Sequence, residues 1–257
     1  MSTFKLQKFS VKQTVSGMKV CSDSLLFGAF IPVANAKRIL DIGAGTGLLS
    51  LMQAQKCSEI SPTIVESITA VEITQEGAEE AAENFYASSW HSLLNIVHQD
   101  IQSFADKSLV KSNEKYDLII CNPPFFSQHS PTSSDNNLRH IARHTDCLTY
   151  KDLCASIAKL LTKEGVAYLL LPVAIKQEII LSFADVGLGV SEIIDISESE
   201  HHAAKVMMIK VSFCFNEENK ISNTMYKFSS HDCHTHQVKQ YLSPFLLRYK
   251  KTIKSRK

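Results

Sequence analysis

Short, uninterrupted apolar runs recur along this chain, and most are followed by a polar turn and a stretch with helical spacing. Arg38 to Ile42, Ser67 to Val71, Leu93 to Val97, Tyr116 to Cys121, Val166 to Leu171, Leu188 to Ile196 and Val206 to Phe215 read as strands, since a strand buried on both faces is a short continuous apolar run rather than a strict alternation. Leu48 to Gln55, Gln75 to Ser88, Tyr150 to Leu161 and Ala174 to Ala184 read as the helices between them. This alternation predicts an α/β fold with a doubly wound, mostly parallel, seven-stranded sheet. Only a short polar loop with His201, His202 and Lys205 separates the final two strands, so they read as an antiparallel pair and make the last strand antiparallel.

The flanks are patterned more weakly. Phe4, Leu6, Phe9 and Val11 suit a short edge hairpin, and Ser22 or Asp23 is the expected N-cap of a helix through Leu25 to Phe30. Lys19 and Asp23 are polar residues at a helix start, a place that often faces a ligand. Residues 216–236 are polar, with Cys233, His234 and His236 close together. No second ligand pair stands at a zinc-like spacing, so a metal is not expected there. Tyr241, Leu242, Phe245, Leu246 and Tyr249 repeat at helical spacing and predict a docking helix from Gln237 to Tyr249. Lys250, Lys251, Lys254, Arg256 and Lys257 then form a basic run, either a contact for RNA phosphate or a solvated tail.

Composition narrows the class. A chain of 257 residues, 44% hydrophobic and 21% charged, suits one soluble domain: an extension over 1–36, a core over 37–215 and a C-terminal extension over 216–257. A net charge of +1 leaves nucleic-acid binding to a local patch. Seven cysteines without a Cys-x-x-Cys pair suggest reduced thiols and a cytoplasmic location. No apolar run is long enough for a membrane span, and no signal pattern opens the chain. A monomer is expected.

Candidate chemistry sits at strand ends. Gly43-Ala44-Gly45-Thr46-Gly47 turns the first core strand into a helix, and glycines there let a ligand approach the backbone. The spacing is Gly-x-Gly-x-Gly, not the dinucleotide Gly-x-Gly-x-x-Gly. It favours the aminoacyl part of S-adenosylmethionine over a nicotinamide cofactor, with Asp41 near the methionine ammonium. Glu72, ending the second core strand, is placed to accept both ribose hydroxyls. Asp100, before Ile101, has two readings, an acceptor for the cofactor's adenine amine or a helix cap.

Asn122-Pro123-Pro124-Phe125 follows the fourth core strand. The prolines stop the strand and hold Asn122 extended at the carboxyl edge of the sheet. The Asn122 side-chain oxygen and the Pro123 carbonyl can accept both hydrogens of a planar amine, with Phe125 stacking on the base. An ordinary strand-ending turn is the alternative. The polar stretch from Phe126 to Thr149 carries Arg139, Arg143 and His144, as phosphate contacts or as a solvated loop.

Together, Asp-Ile-Gly-Ala-Gly-Thr-Gly, Glu72, Asp100 and Asn-Pro-Pro-Phe resemble the Rossmann-like class I methyltransferases that methylate amines. Met18-Lys19-Val20-x-x-Asp23, Ala142-Arg143-His144 and the aromatic C-terminal segment extend the resemblance to the bacterial tRNA(Val) (adenine-37-N6)-methyltransferase family, from about Phe9 to Tyr249. The resemblance implies S-adenosylmethionine as cofactor, tRNA as partner and methylation of adenine 3′ of the anticodon. It assigns Lys19, Asp23, Asp41, Gly43, Ala44, Gly45, Gly47, Glu72, Asp100, Ile101 and Asn122 to the cofactor. Asn122, Pro123, Pro124 and Phe125 go to catalysis, and Phe125, Arg139, Arg143 and His144 to RNA. Many members carry Tyr at the position of Phe125, and the long insertion before Ala142 and the basic terminus are further departures. Guanine-N2 enzymes of ribosomal RNA and glutamine-amide methyltransferases share Asn-Pro-Pro and are the alternatives, ahead of a non-enzymatic binder of the same cofactor.

Overall fold

A computed structural model describes residues 2–250 except 16, 18, 34, 61–63, 112–113, 124–147, 217, 219 and 231. Its centre is an eight-stranded sheet. In chain order its strands are β3 (Arg38–Ile42), β4 (Ser67–Glu72), β5 (Leu94–His98), β6 (Tyr116–Cys121), β7 (Leu161–Pro172), β8 (Gly189–Ser197), β9 (Val206–Ser212) and β10 (Ile221–Tyr226). The spatial order is β10-β8-β9-β7-β6-β3-β4-β5. Every pairing is parallel except those of β9, which runs antiparallel between β7 and β8.

The apolar runs become strands because both faces of the sheet are covered. Ile39, Ile68, Ala70, Leu118, Ile120, Tyr168 and Leu170 enter one buried cluster. Their neighbours Leu40, Ile42, Val71, Ile119, Cys121, Leu169 and Leu171 enter the other, as the twofold alternation of a strand requires. Helices α1 (Ser22–Phe30) and α2 (Leu48–Ile60) supply the first cluster, with α3 (Gln75–Tyr86). Helices α4 (Ile101–Lys111), α5 (Tyr150–Leu160) and α6 (Lys176–Asp185) supply the second.

Several boundaries differ from the sequence expectation. β10 is an eighth strand inside the stretch read as polar. It lies on the sheet edge, where only Met225 is buried, so it needs no apolar run. The expected hairpin forms as β1 (Thr3–Lys5) and β2 (Ser10–Lys12), but as its own two-stranded sheet rather than an edge of the main one. The cap of α1 is Cys21, not Ser22 or Asp23. The C-terminal helix α7 runs only over His236–Leu242, with a single 3-10 turn at Leu247–Tyr249. Pro244 accounts for the break, because it has no N–H to carry the helical hydrogen-bond ladder on, although Ser243 before it keeps helical dihedrals. Between them, β11 (Phe228–Ser230) and β12 (Cys233–His234) form a small antiparallel pair.

The N-terminal hairpin segment and the segment after α7 meet on one face of the sheet. Gln7 N–H donates to the Phe245 carbonyl at 2.8 Å, and Gln7 Nε2 donates to the carbonyls of Ser243 and Leu246 at 2.7 and 2.8 Å. Among the described residues, no helix is long and apolar enough to cross a membrane.

Candidate active site

The sheet order reverses between β3 and β6, since β4 and β5 lie on one side of that pair and β7 on the other. Such a switch point opens a crevice at the carboxyl ends of the strands. Here Lys19, Val20, Ser24, Gly43 to Thr46, Leu48, Leu49 and Asn122 line an open cleft with about 390 Å³ of empty space.

The glycine turn forms the floor. The N–H groups of Gly43 and Ala44 donate to the Val71 carbonyl at 2.8 and 3.2 Å, which pins the turn to β4. Gly43 and Gly45 have φ of +70° and +52°, and a Cβ on either would meet nothing within 4 Å. That side of the turn faces open space. Gly47 serves packing instead, because a Cβ there would lie 2.4 Å from the Phe85 ring.

Glu72 braces the turn. One carboxylate oxygen accepts from Gly45 N–H at 2.9 Å, and the other accepts from the Thr74 N–H and hydroxyl at 2.9 and 2.8 Å. Thr74 in turn caps α3 by accepting from Gly77 N–H. Asp41 is fully buried and does not line the cleft. Its Oδ2 accepts from Ser50 N–H at 3.1 Å and from the Ser50 hydroxyl at 2.7 Å, while Oδ1 finds no donor among the described residues. Burial pushes this carboxyl up to about 7, outweighing the downward pull of the Ser50 hydrogen bonds, and the nearby Glu72 charge adds to the rise.

Asn122 forms the wall opposite. It is 7% exposed at the end of β6, and its Nδ2 donates to the Ser24 hydroxyl at 2.9 Å. Its Oδ1 is buried and finds no donor among the described residues. A buried carbonyl-type oxygen without a donor is uncommon and costly unless a ligand completes it. Pro123 is also buried.

The other expected residues divide. Lys19 reaches the cleft. Asp23 does not line it. Asp23 accepts from Lys227 Nζ at 2.8 Å, in a clasp that also includes Glu198. Asp100 Oδ1 accepts from Ser103 N–H at 2.8 Å, so this carboxylate caps α4. Burial would raise its pKa, but the hydrogen bonds from Ser103 and neighbouring backbone N–H groups hold it below the usual value. Ile101 is buried in the core beside it. Cys233, His234 and His236 do not converge on a metal geometry, and no three such ligands do so among the described residues. His234 Nδ1 instead meets the Tyr249 hydroxyl at 2.8 Å. Pro124, Phe125, Arg139, Arg143 and His144 lie outside the described residues.

Two contributors carry no local sequence signal. Ser24 touches Asn122 across 98 positions. Asn84 on α3 donates to the carbonyls of Lys12 and Thr46 at 3.0 and 2.9 Å, tying the N-terminal segment to the glycine turn. Glu80 joins that tie by accepting from the N–H groups of Thr14 and Val15.

Sheet order, glycine turn and buried amide across the switch point define a class I, S-adenosylmethionine-dependent methyltransferase. The methyltransferase small domain family matches residues 15–151. The tRNA1(Val) (adenine(37)-N6)-methyltransferase of Shewanella woodyi is 34% identical over 250 residues, 96% of this chain and 99% of the relative. That of Proteus mirabilis is 32% identical over 248 residues, covering 96% and 94%. Among solved structures, a predicted O-methyltransferase from Agrobacterium tumefaciens superposes with a TM-score of 0.59 at 18% identity, over 86% of this chain and 95% of that one. The chain belongs to the methyltransferase small domain family and, within it, to the tRNA1(Val) (adenine(37)-N6)-methyltransferases.

S-adenosylmethionine is the cofactor, and the residues fit it. Gly43 and Gly45 leave open space over the turn, Lys19 and Asn122 line the same cleft, and Glu72 braces the turn from behind without lining it.

Proposed function

We propose that this protein methylates the exocyclic N6 of an adenine in tRNA, adenine 37 of tRNA(Val), as its relatives in Shewanella and Proteus are named for doing. One observation carries the chemistry: a buried Asn122 oxygen without a donor among the described residues, beside the glycine turn, on a side chain whose nitrogen is already engaged. When bound, S-adenosylmethionine supplies a methyl group activated by a sulfonium. The adenine amine is a poor nucleophile, because its lone pair is delocalised into the ring. Asn122 Oδ1 and the Pro123 carbonyl accept its two hydrogens and favour the pyramidal nitrogen that develops during attack. Bound beside them, the cofactor would give its methyl group to that nitrogen and keep the C–S electron pair on sulfur. The proton departs from nitrogen afterwards, so no general base is needed first. Phe125 stacks on the base, and Arg139, Arg143 and His144 hold phosphate.

The test is incubation with labelled S-adenosylmethionine and unmodified tRNA, followed by nuclease digestion. Label in N6-methyladenosine at position 37 of tRNA(Val) is expected. Label in N2-methylguanosine, or in the glutamine of a release factor, would overturn the substrate assignment while leaving the cofactor site intact.

A further inference from the structure

A side-chain amide presents oxygen on one side and nitrogen on the other, and the two look alike in shape. An amine-holding asparagine works only if its oxygen is the atom on offer, so something must fix which way the amide lies. In this fold the fixing group comes from the first helix. Ser24 on α1 is 5% exposed and packed beside the end of β6, and its hydroxyl accepts from Asn122 Nδ2 at 2.9 Å.

A serine hydroxyl can donate as well as accept, so Ser24 alone would tolerate either amide orientation. Cys21 offers that hydroxyl proton an acceptor of its own. Its sulfur caps α1 by accepting from Ser24 N–H at 3.5 Å, and it lies 3.1 Å from the Ser24 hydroxyl oxygen. With the hydroxyl proton directed at that sulfur, the lone pairs of the Ser24 oxygen remain for an N–H donor, and Asn122 Nδ2 supplies one. We propose that Ser24, polarised by Cys21, is a positioning residue for methyl transfer that holds the Asn122 amide with its oxygen towards the substrate amine. This rests on the reading of Asn122 as the group that holds the amine.

The experiment is a double-mutant cycle on the full chain, with Ser24→Ala, Asn122→Ala and the pair. Single-turnover rate, tRNA Kd, S-adenosylmethionine Kd by calorimetry and the melting temperature are measured for each. Ser24→Ala should lower the rate roughly tenfold, the value of one hydrogen bond to a neutral partner. Both Kd values should stay close to those of the parent, and the melting temperature should fall by a few degrees, since the buried Asn122 Nδ2 loses its partner. In the Asn122→Ala background the same change should have no further effect, because Ser24 then has nothing to orient. An undiminished rate in Ser24→Ala beside a large loss in Asn122→Ala would overturn the positioning role alone. So would a further tenfold loss in the double variant, or a loss that follows cofactor affinity. An undiminished rate in Asn122→Ala itself would overturn the underlying reading and this proposal with it.

Discussion

Asn122 and Asp41 are two buried groups that each leave one oxygen without a donor among the described residues, yet they face different fates. Asn122 lines the cleft and Asp41 does not. Replacing Asn122 by Ala should cost turnover roughly 100-fold or more, in the range found when one partner of a developing charge is lost. Cofactor affinity measured by calorimetry should hardly change. Asp41 instead governs stability. Its folded-state pKa, about 7, lies above the ordinary 3.8, so the folded protein holds the proton more tightly than the unfolded chain. That contribution is fully present below pH 3.8 and is lost as pH rises through about 7. Asp41→Asn, which can still accept from Ser50, should therefore gain on the parent across that window, by on the order of a few kcal/mol, and then level off. Urea denaturation at a series of pH values measures it. Flat curves would place the titration elsewhere.

At the scale of elements, legibility followed how locally each one is determined. The turn Gly43 to Gly47 was readable because its glycines answer to the backbone of the turn itself. Asn122 was readable because prolines mark the strand end. Asp100 admitted two readings, and the described structure shows it capping α4, because the first turn of a helix offers N–H donors whatever else is near. Ser24 and Asn84 were not legible, since their partners lie 98 and 38 positions away. β10 carries no such signal because an exposed edge strand has no apolar face to display, whereas Pro244 signals the shortened α7 against the longer aromatic spacing. The turn also separates two kinds of glycine. Gly47→Ala drives a methyl group into Phe85 at positive φ and should cost about 1–3 kcal/mol of stability. Gly45→Ala has room for its methyl group but also sits at positive φ, so it should cost only the backbone strain, about 1 kcal/mol, and should in addition weaken cofactor binding. Melting curves beside calorimetry separate the two, and equal loss of stability in both would refute the distinction.

The whole molecule is nearly neutral, at +1, so attraction for RNA must come from local clusters. Removing the basic residues 250–257 should weaken tRNA binding and flatten its dependence on salt while leaving cofactor affinity intact. An unchanged salt slope would show that the tail makes no phosphate contacts. A second long-range feature is the clasp at Lys227, whose side chain is 7% exposed between Asp23 and the more exposed Glu198. Burial alone would lower its pKa, but the bonds to Asp23 and Glu198 outweigh that and raise it. Its stabilisation therefore persists through neutral pH and fades only above 10.5. Lys227→Met should cost about 1–3 kcal/mol, less than a fully buried pair because the acids are partly solvated. Guanidinium denaturation at pH 7 tests this, and no loss would mean the clasp is incidental.

That clasp, together with Gln7 on Phe245, sets an order of assembly. A chain is made from its N-terminus, at ~5–20 residues per second, and its segments fold as their partners appear. Asn84, Glu80 and Gln53 can fasten the hairpin segment and α1 early, but Lys227 is made 204 residues after its partner Asp23, and Phe245 later still. The last fastening on the wall that holds Ser24 against Asn122 thus waits for Lys227, and closing so long a loop is slow. An unfinished chain on the ribosome would own the glycine turn and the Asn-Pro-Pro motif with the frame around them only partly fastened.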